Sequence, residues 1–165
     1  MRPFLSEGSE KHMKIAFSND HAGANMREIL LGTLRDLGHE VVDYGADGSC
    51  SVDYPDYAMP ALLALARGEV ERAILVCGSG VGMSITANRI PGVRCALAVD
   101  LFTAEMSRRH NDSNCLALRG REQAPELNKQ IVEKWLATPF EGDRHERRIK
   151  RIEAVAAEII KKLQS

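Results

Sequence analysis

The chain has 165 residues, of which 44% are hydrophobic and 27% charged, and its formal net charge is −1. This size fits one domain with a substantial core, and the near-neutral charge argues against general nucleic-acid binding. No apolar run approaches the roughly 18 residues that span a bilayer, so we expect neither a nucleic-acid nor a membrane partner. The four cysteines form no C-x-x-C pair, which indicates reduced, cytoplasmic thiols and no evident zinc site.

Apolar runs alternate with helical patterns along the chain. The runs predict strands at 13–18, 40–44, 72–77, 95–99 and 114–118. The helical patterns predict helices at about 23–37, 55–67, 82–89, 102–110, 123–137 and 143–163. Repeated βα units of this kind predict an α/β fold, namely a Rossmann-like, doubly wound sheet of five parallel strands with helices on both faces. The last helix, with a single apolar stripe, is expected to protrude.

The first dozen residues stand apart from this pattern. Residues 1–12 lack the apolar segment of a signal peptide and show no periodicity, whereas Met13-Lys14-Ile15 leads directly into the first strand. We therefore interpret residues 1–12 as a leader or disordered extension and residues 13–165 as a single domain.

The third predicted strand ends in the most informative segment. Gly78, Gly80 and Gly82 occupy alternate positions directly before a predicted helix, and Cys77 precedes them. Glycines let the backbone turn sharply, and a helix start directs unpaired N–H groups at one point, so the loop is suited to an oxyanion. A thiol at its mouth favours chemistry on a group that becomes negative; the simpler interpretation is a tight turn with a buried cysteine.

Other glycine-rich loops do not match this segment. A P-loop requires a lysine, which is missing here. A dinucleotide fingerprint would need glycine where Met83 or Ile85 stands. A nucleophile elbow around Ser79 would need glycine at Cys77 and Val81.

In doubly wound sheets, ligands bind beyond the carboxyl ends of the strands. The candidates there are Asp20-His21, residues 44–54, residues 77–82 and Asp100. His110-Asn111 closes a helix, where a histidine also serves as a simple charge cap. In the last helix, Arg144, His145 and Arg148 share one face, which suits either a phosphate or an ordinary solvated basic surface.

Together these residues resemble the type B ribose-5-phosphate isomerases, whose fold is shared with galactose-6-phosphate isomerase subunits. The resemblance runs from about Lys14 to the final helix. Its motifs are Asn19-Asp20-His21-Ala22-Gly23, Asp53-Tyr54-Pro55, Cys77-Gly78-Ser79-Gly80-Val81-Gly82 with Ala87-Asn88, Arg109-His110-Asn111-Asp112 with Asn114, Gly120-Arg121, and Arg144-His145 with Arg148.

The resemblance implies isomerisation of ribose 5-phosphate and ribulose 5-phosphate through an enediolate, with no metal or organic cofactor. Cys77 would be the base that moves the carbon proton, a role that a helix N-terminus favours by stabilising the thiolate. Ser79 would pass a proton between O1 and O2. His110 would open the sugar ring with help from Asp20.

The remaining roles concern binding. The enediolate oxygen would be held by backbone N–H groups of Gly78, Gly80, Val81 and Gly82. The sugar hydroxyls would be positioned by Tyr54 and Asn111. The phosphate would be held by His21, Arg121, Arg144, His145 and Arg148.

The resemblance also implies a homodimer or a dimer of dimers in which neighbouring subunits share each active site. Some members carry threonine in place of Ser79, and another branch uses a glutamate where this chain has Met83; Cys77 places this chain with the thiol type. Three alternatives stay open: an isomerase of allose 6-phosphate or galactose 6-phosphate, a non-catalytic sugar-phosphate sensor, and a cysteine hydrolase pairing Cys77 with His110.

Overall fold

The computed structural model describes residues 11–165, so most of the predicted leader, residues 1–10, lies outside the described part. Five strands are present: β1 Lys14–Asn19, β2 Glu40–Asp43, β3 Arg72–Cys77, β4 Cys95–Leu97 and β5 Cys115–Arg119. Six α-helices accompany them: α1 Ala24–Asp36, α2 Tyr54–Ala66, α3 Val81–Ala87, α4 Leu101–Asn111, α5 Pro125–Ala137 and α6 Arg144–Leu163. A short 3-10 turn, His21–Gly23, joins β1 to α1.

The strands form one parallel sheet in the order β2-β1-β3-β5-β4. Helices α1 and α5 pack on one face of it, around Leu30, Phe17 and Trp135. Helices α2 and α3 cover the other face, around Leu62 and Met83. The predicted doubly wound α/β fold is therefore confirmed. The order reverses between β1 and β3, which places a crevice at the carboxyl ends of these strands.

Helix α3 and strand β4 each end two residues earlier than predicted, and a different side chain accounts for each. Asn88 closes α3 by accepting a hydrogen bond from the Cys95 backbone N–H at 2.9 Å and donating one to the Cys95 carbonyl at 3.0 Å. This side chain thus pairs with the free edge of β4 as a further strand would. Beyond Leu97 the chain turns away, because the Asp100 carboxylate caps α4 by accepting from the Thr103 N–H at 2.6 Å.

The last helix projects from the rest of the fold, as predicted. His145 is buried, but every residue from Lys150 onward is exposed. Its apolar stripe is open as well: Ile152 and Ile159 are about half exposed and Leu163 is 81% exposed. Within residues 11–165, no helix combines the length and apolar character that crossing a bilayer requires.

Candidate active site

Cys77 lies at the carboxyl end of β3 and borders an open pocket of about 670 Å³. Its side chain is 5% exposed, so the thiol is largely covered yet reaches the pocket wall. Of the predicted site residues, the pocket brings together Asp20, His21, Tyr54, Cys77, Gly78, Ser79, Gly82 and Arg121. The carboxyl ends of β1, β3 and β5 supply most of them, as expected for a doubly wound sheet.

The loop between β3 and α3 is held in place from two sides. The Gly120 N–H donates to the Cys77 carbonyl at 2.8 Å, and the Arg121 N–H donates to the Gly78 carbonyl at 3.0 Å. The Tyr54 ring lies directly on Gly82, where a Cβ would come within 2.7 Å of it. A rigid loop of this kind keeps its N–H groups aimed at one region without reorganising during a reaction.

Gly80 is the loop position that most requires glycine. Its φ of +76° lies in the left-handed region, and a Cβ would meet Leu97 Cδ1 at 2.5 Å and the Leu118 carbonyl oxygen at 3.0 Å. We expect Gly80→Ala to lower the free energy of unfolding by about 1–2 kcal/mol from the left-handed conformation alone, and by more because of the crowding. Urea denaturation measures the loss.

Gly68 provides the matched control for this substitution. It has a similar φ of +71°, but nothing lies within 4 Å of its would-be Cβ. Gly68→Ala should therefore lower the free energy of unfolding only through the left-handed conformation, without the crowding. It should leave catalysis unchanged. Equal losses of stability and activity in the two variants would contradict the assignment of a crowded, functional loop.

Asp20 and His21 are fixed by backbone contacts at the start of the 3-10 turn. Asp20 is buried, and its Oδ1 accepts a hydrogen bond from the Gly23 N–H at 2.9 Å. His21 Nδ1 lies 3.1 Å from the Val52 N–H, which donates to it. Since a backbone N–H only donates, the neutral His21 ring carries its proton on Nε2. Ser79 is exposed, and its hydroxyl accepts from the Val81 N–H at 3.3 Å.

Gly80 and Val81 belong to the same loop, at the start of α3. The remaining predicted site residues lie at the opposite ends of the strands. His110 and Asn111 end α4, and a helix that follows a parallel strand runs back toward the amino ends of the strands. Arg144, His145 and Arg148 occupy the first turns of α6, close to His110, because the His110 and His145 rings stack with centroids 4.3 Å apart. A single chain therefore presents its predicted site residues in two groups, one at each end of the strands, and we call these groups half-sites.

The second half-site is organised around Glu141, which was not among the predicted site residues. One carboxylate oxygen, Oε1, is bound by Arg109. The other, Oε2, lies 3.5 Å from His145 Nε2 and 3.9 Å from His110 Nε2. These three potential ligand atoms lie within 4.8 Å of one another. The two histidine rings are nearly parallel, inclined by only 13°.

The neighbours of Glu141 and His145 shift the pKa of each side chain. Arg109 lowers the pKa of Glu141 by a hydrogen bond and by its charge. Burial lowers the pKa of His145, and His110 and Arg144 add to the effect, whereas Glu141 opposes it. The buried ring is therefore favoured in its neutral form.

The lowered pKa of His145 predicts a loss of stability in acid. As the pH falls below the ordinary histidine value of about 6.5, the unfolded chain takes up this proton before the folded chain does, so the free energy of unfolding decreases. His145→Asn removes this proton uptake. Urea unfolding at neutral and mildly acidic pH should show a larger decrease in the wild type than in the variant. Identical decreases would show that His145 does not contribute.

Three lining residues of the pocket were not predicted: Ala22, Arg119 and Glu122. Arg119 and Glu122 follow the predicted strand 114–118, so their position at its carboxyl end was a usable signal. Glu122 adopts a φ of +53°, a left-handed backbone conformation that the sequence does not predict.

Comparison with known proteins agrees with this geometry. The sequence pattern of the family described as Ribose/Galactose Isomerase matches residues 15–152. The chain is 48% identical over 141 residues to a putative sugar phosphate isomerase of Bacillus subtilis, covering 85% of this chain and 95% of that protein. It is 44% identical over 142 residues to ribose-5-phosphate isomerase B of Escherichia coli, covering 86% and 95% of the two chains.

Solved structures agree with the sequence relatives. Ribose-5-phosphate isomerase B of Clostridium thermocellum superimposes with a TM-score of 0.86 at 41% identity, covering 89% of this chain and 99% of that chain. The type B enzyme of Trypanosoma brucei gives a TM-score of 0.84 at 42% identity, with 88% and 99% covered. The chain belongs to the ribose/galactose isomerase family. It is an enzyme, a sugar-phosphate isomerase.

Proposed function

We propose that this chain interconverts ribose 5-phosphate and ribulose 5-phosphate, with Cys77 as the base. The observation that carries the proposal is the meeting of a thiol, a glycine loop and Arg121 around one open pocket. The 44% identity to a relative named ribose-5-phosphate isomerase B supports this substrate. The four free cysteines support a cytoplasmic location, where thiols stay reduced.

The proposed chemistry begins with the open-chain aldose. The Cys77 thiolate takes the proton from C2, the electron pair of that bond forms the C1–C2 double bond, and the O1 carbonyl becomes an oxyanion. The N–H groups of the loop, from Gly78 to Gly82, donate to this oxygen. The Ser79 hydroxyl passes the O2 proton to O1, and Cys77 returns its proton to C1, which gives the ketose and restores the thiolate.

Binding at the two ends of the sugar completes the site. Tyr54 borders the pocket and would hold a sugar hydroxyl, and Asp20 would assist acid-base chemistry near the ring oxygen. His21 presents its Nε2–H, and Arg121 lies at the rim; both suit the phosphate. The cluster of His110, Asn111, Arg144, His145 and Arg148 would open the ring and complete the phosphate site.

This cluster requires a second subunit in the proposal. The cluster lies at the amino ends of its own strands. It can therefore reach a Cys77 pocket only when that pocket belongs to another chain. We therefore propose a homodimer or a dimer of dimers with shared active sites. Apolar side chains around α4 and α6 are open to receive a partner, including Phe102, which is 72% exposed.

Incubation with ribose 5-phosphate in D2O tests the reaction directly. We expect ribulose 5-phosphate to form and deuterium to enter at the carbons between which the proton moves. Allose 6-phosphate and galactose 6-phosphate, assayed alongside, test the six-carbon alternative. Turnover of a hexose phosphate with little turnover of the pentose would replace the proposed substrate. Binding without turnover of any of the three would contradict the proposed reaction and favour a sensor.

A further inference from the structure

Arg119 is the last residue of β5 and has no part in the reaction described above. In the parallel β3–β5 pair, its Cα is registered with that of Cys77. Two residues earlier, Ala117 and Leu75 both belong to the core under α2 and α3. Since side chains alternate between the faces of a sheet, Arg119 and Cys77 project side by side from the same face.

The guanidinium of Arg119 has an unusual environment for a charged group. The residue is half-buried and borders the same pocket as Cys77. Within residues 11–165, its side chain forms no hydrogen bond or ion pair, although its backbone carbonyl accepts from Asn128 Nδ2 at 2.8 Å. The strand end is thus fixed, while no carboxylate of the described residues lies at ion-pair distance from the guanidinium. A partly desolvated cation in this position favours an anionic ligand.

The nearby Arg121 differs in position. Its backbone N–H is bonded to the Gly78 carbonyl, and the residue is exposed. It therefore lies at the rim, where the proposed function puts the phosphate. Arg119, in contrast, is registered with Cys77 across the two strands, near the place that the reacting carbons would occupy. Two arginines only two residues apart would then serve opposite ends of one substrate.

We propose that Arg119 is a further catalytic residue of this site, which donates hydrogen bonds to the enediolate oxygens. This inference rests on the proposed function. Proton removal transfers one negative charge from the Cys77 sulfur to the substrate oxygen, and Arg119 neutralises that charge without gaining or losing a proton. A guanidinium suits this task because it stays charged and offers several donors in one plane.

The test is a kinetic comparison of Arg119→Ala, Arg119→Lys and Arg121→Ala. We expect Arg119→Ala to lower kcat by about 10²-fold, as for loss of one oxyanion donor, with little change in KM. Arg119→Lys should retain an intermediate kcat, since it keeps the charge. Arg121→Ala should mainly raise KM, because the phosphate contact is uniform between ground state and transition state.

Chemical rescue distinguishes a catalytic role from a structural one. Millimolar guanidinium should restore part of the kcat of Arg119→Ala and none of that of Cys77→Ala. Arg35→Ala, at the last turn of α1 and outside the pocket, should behave as the wild type with or without guanidinium. If Arg119→Ala does not fold, Arg119→Gln replaces it.

Two results would overturn the inference: an unchanged kcat in Arg119→Ala, or an effect confined to KM. Either one, with an active wild type, leaves the proposed function intact. Failure of the folded wild type to isomerise ribose 5-phosphate would instead refute the proposed function. The two failures are therefore distinguishable in one set of assays.

Discussion

Cys77→Ala and Cys77→Ser are expected to lose nearly all isomerase activity while still binding sugar phosphate. Removing a general base costs typically 10²–10⁴-fold, so we expect kcat to fall by about 10³-fold or more. Serine does not rescue, because its hydroxyl is a far weaker acid than a thiol and supplies no comparable anion. Binding persists because the glycine loop and Arg121 do not depend on the sulfur. Steady-state kinetics and calorimetric titration measure the two effects separately.

The other cysteines provide controls for this experiment. Cys50 is exposed and outside the pocket, so Cys50→Ala should behave as the wild type. Cys115 is buried, and burial, followed by its hydrogen bond with Cys95, raises the pKa of its thiol well above the ordinary value. Iodoacetamide should therefore spare Cys115, inactivate the enzyme by labelling Cys77, and be slowed by substrate. Substantial kcat in Cys77→Ala would refute the assignment of the base.

The sequence predicted the sheet, and it predicted which residues lie near Cys77, because both depend on local signals. Apolar runs define the strands, and the rule that ligands bind at the carboxyl ends of parallel strands points to Asp20, Tyr54 and Cys77. Arg119 was missed because its importance comes from register with Cys77 across β3 and β5, which a single sequence does not specify. Glu141 was missed for a similar reason, since it reaches His110 and His145 only after the chain folds.

The fold separates the predicted site residues of one chain into two half-sites, which the sequence motifs alone do not indicate. The family resemblance implies that His110 and Arg144 act in the same reaction as Cys77, and therefore in one site. Helix α4 runs antiparallel to the strands, so His110 lies at their amino ends. The Cys77 pocket of the same chain lies at their carboxyl ends. The proposed assembly of the site from two chains would bring the two groups of residues together.

A mixture of Cys77→Ala and Arg144→Ala chains is accordingly expected to recover activity that neither variant has alone. In a mixed dimer, one site combines the intact Cys77 of one chain with the intact Arg144 of the other. The second site carries both substitutions. Random exchange of equal amounts makes half of the dimers mixed, so about one quarter of all sites are intact. Activity near a quarter of the wild-type value, at a substrate concentration where Arg144→Ala is poorly active, is the expected result.

Three controls make the recovery interpretable. Native mass spectrometry of differently tagged chains confirms that subunits have exchanged. A mixture of Cys77→Ala with Cys77→Ser should recover nothing, because every site then lacks the thiol. Arg147→Ala, an exposed arginine on the same helix, should keep its activity alone, which separates the role of Arg144 from a general loss of positive charge. Confirmed exchange without recovery would mean that Cys77 and Arg144 act in the same chain, and the proposed shared site would be wrong.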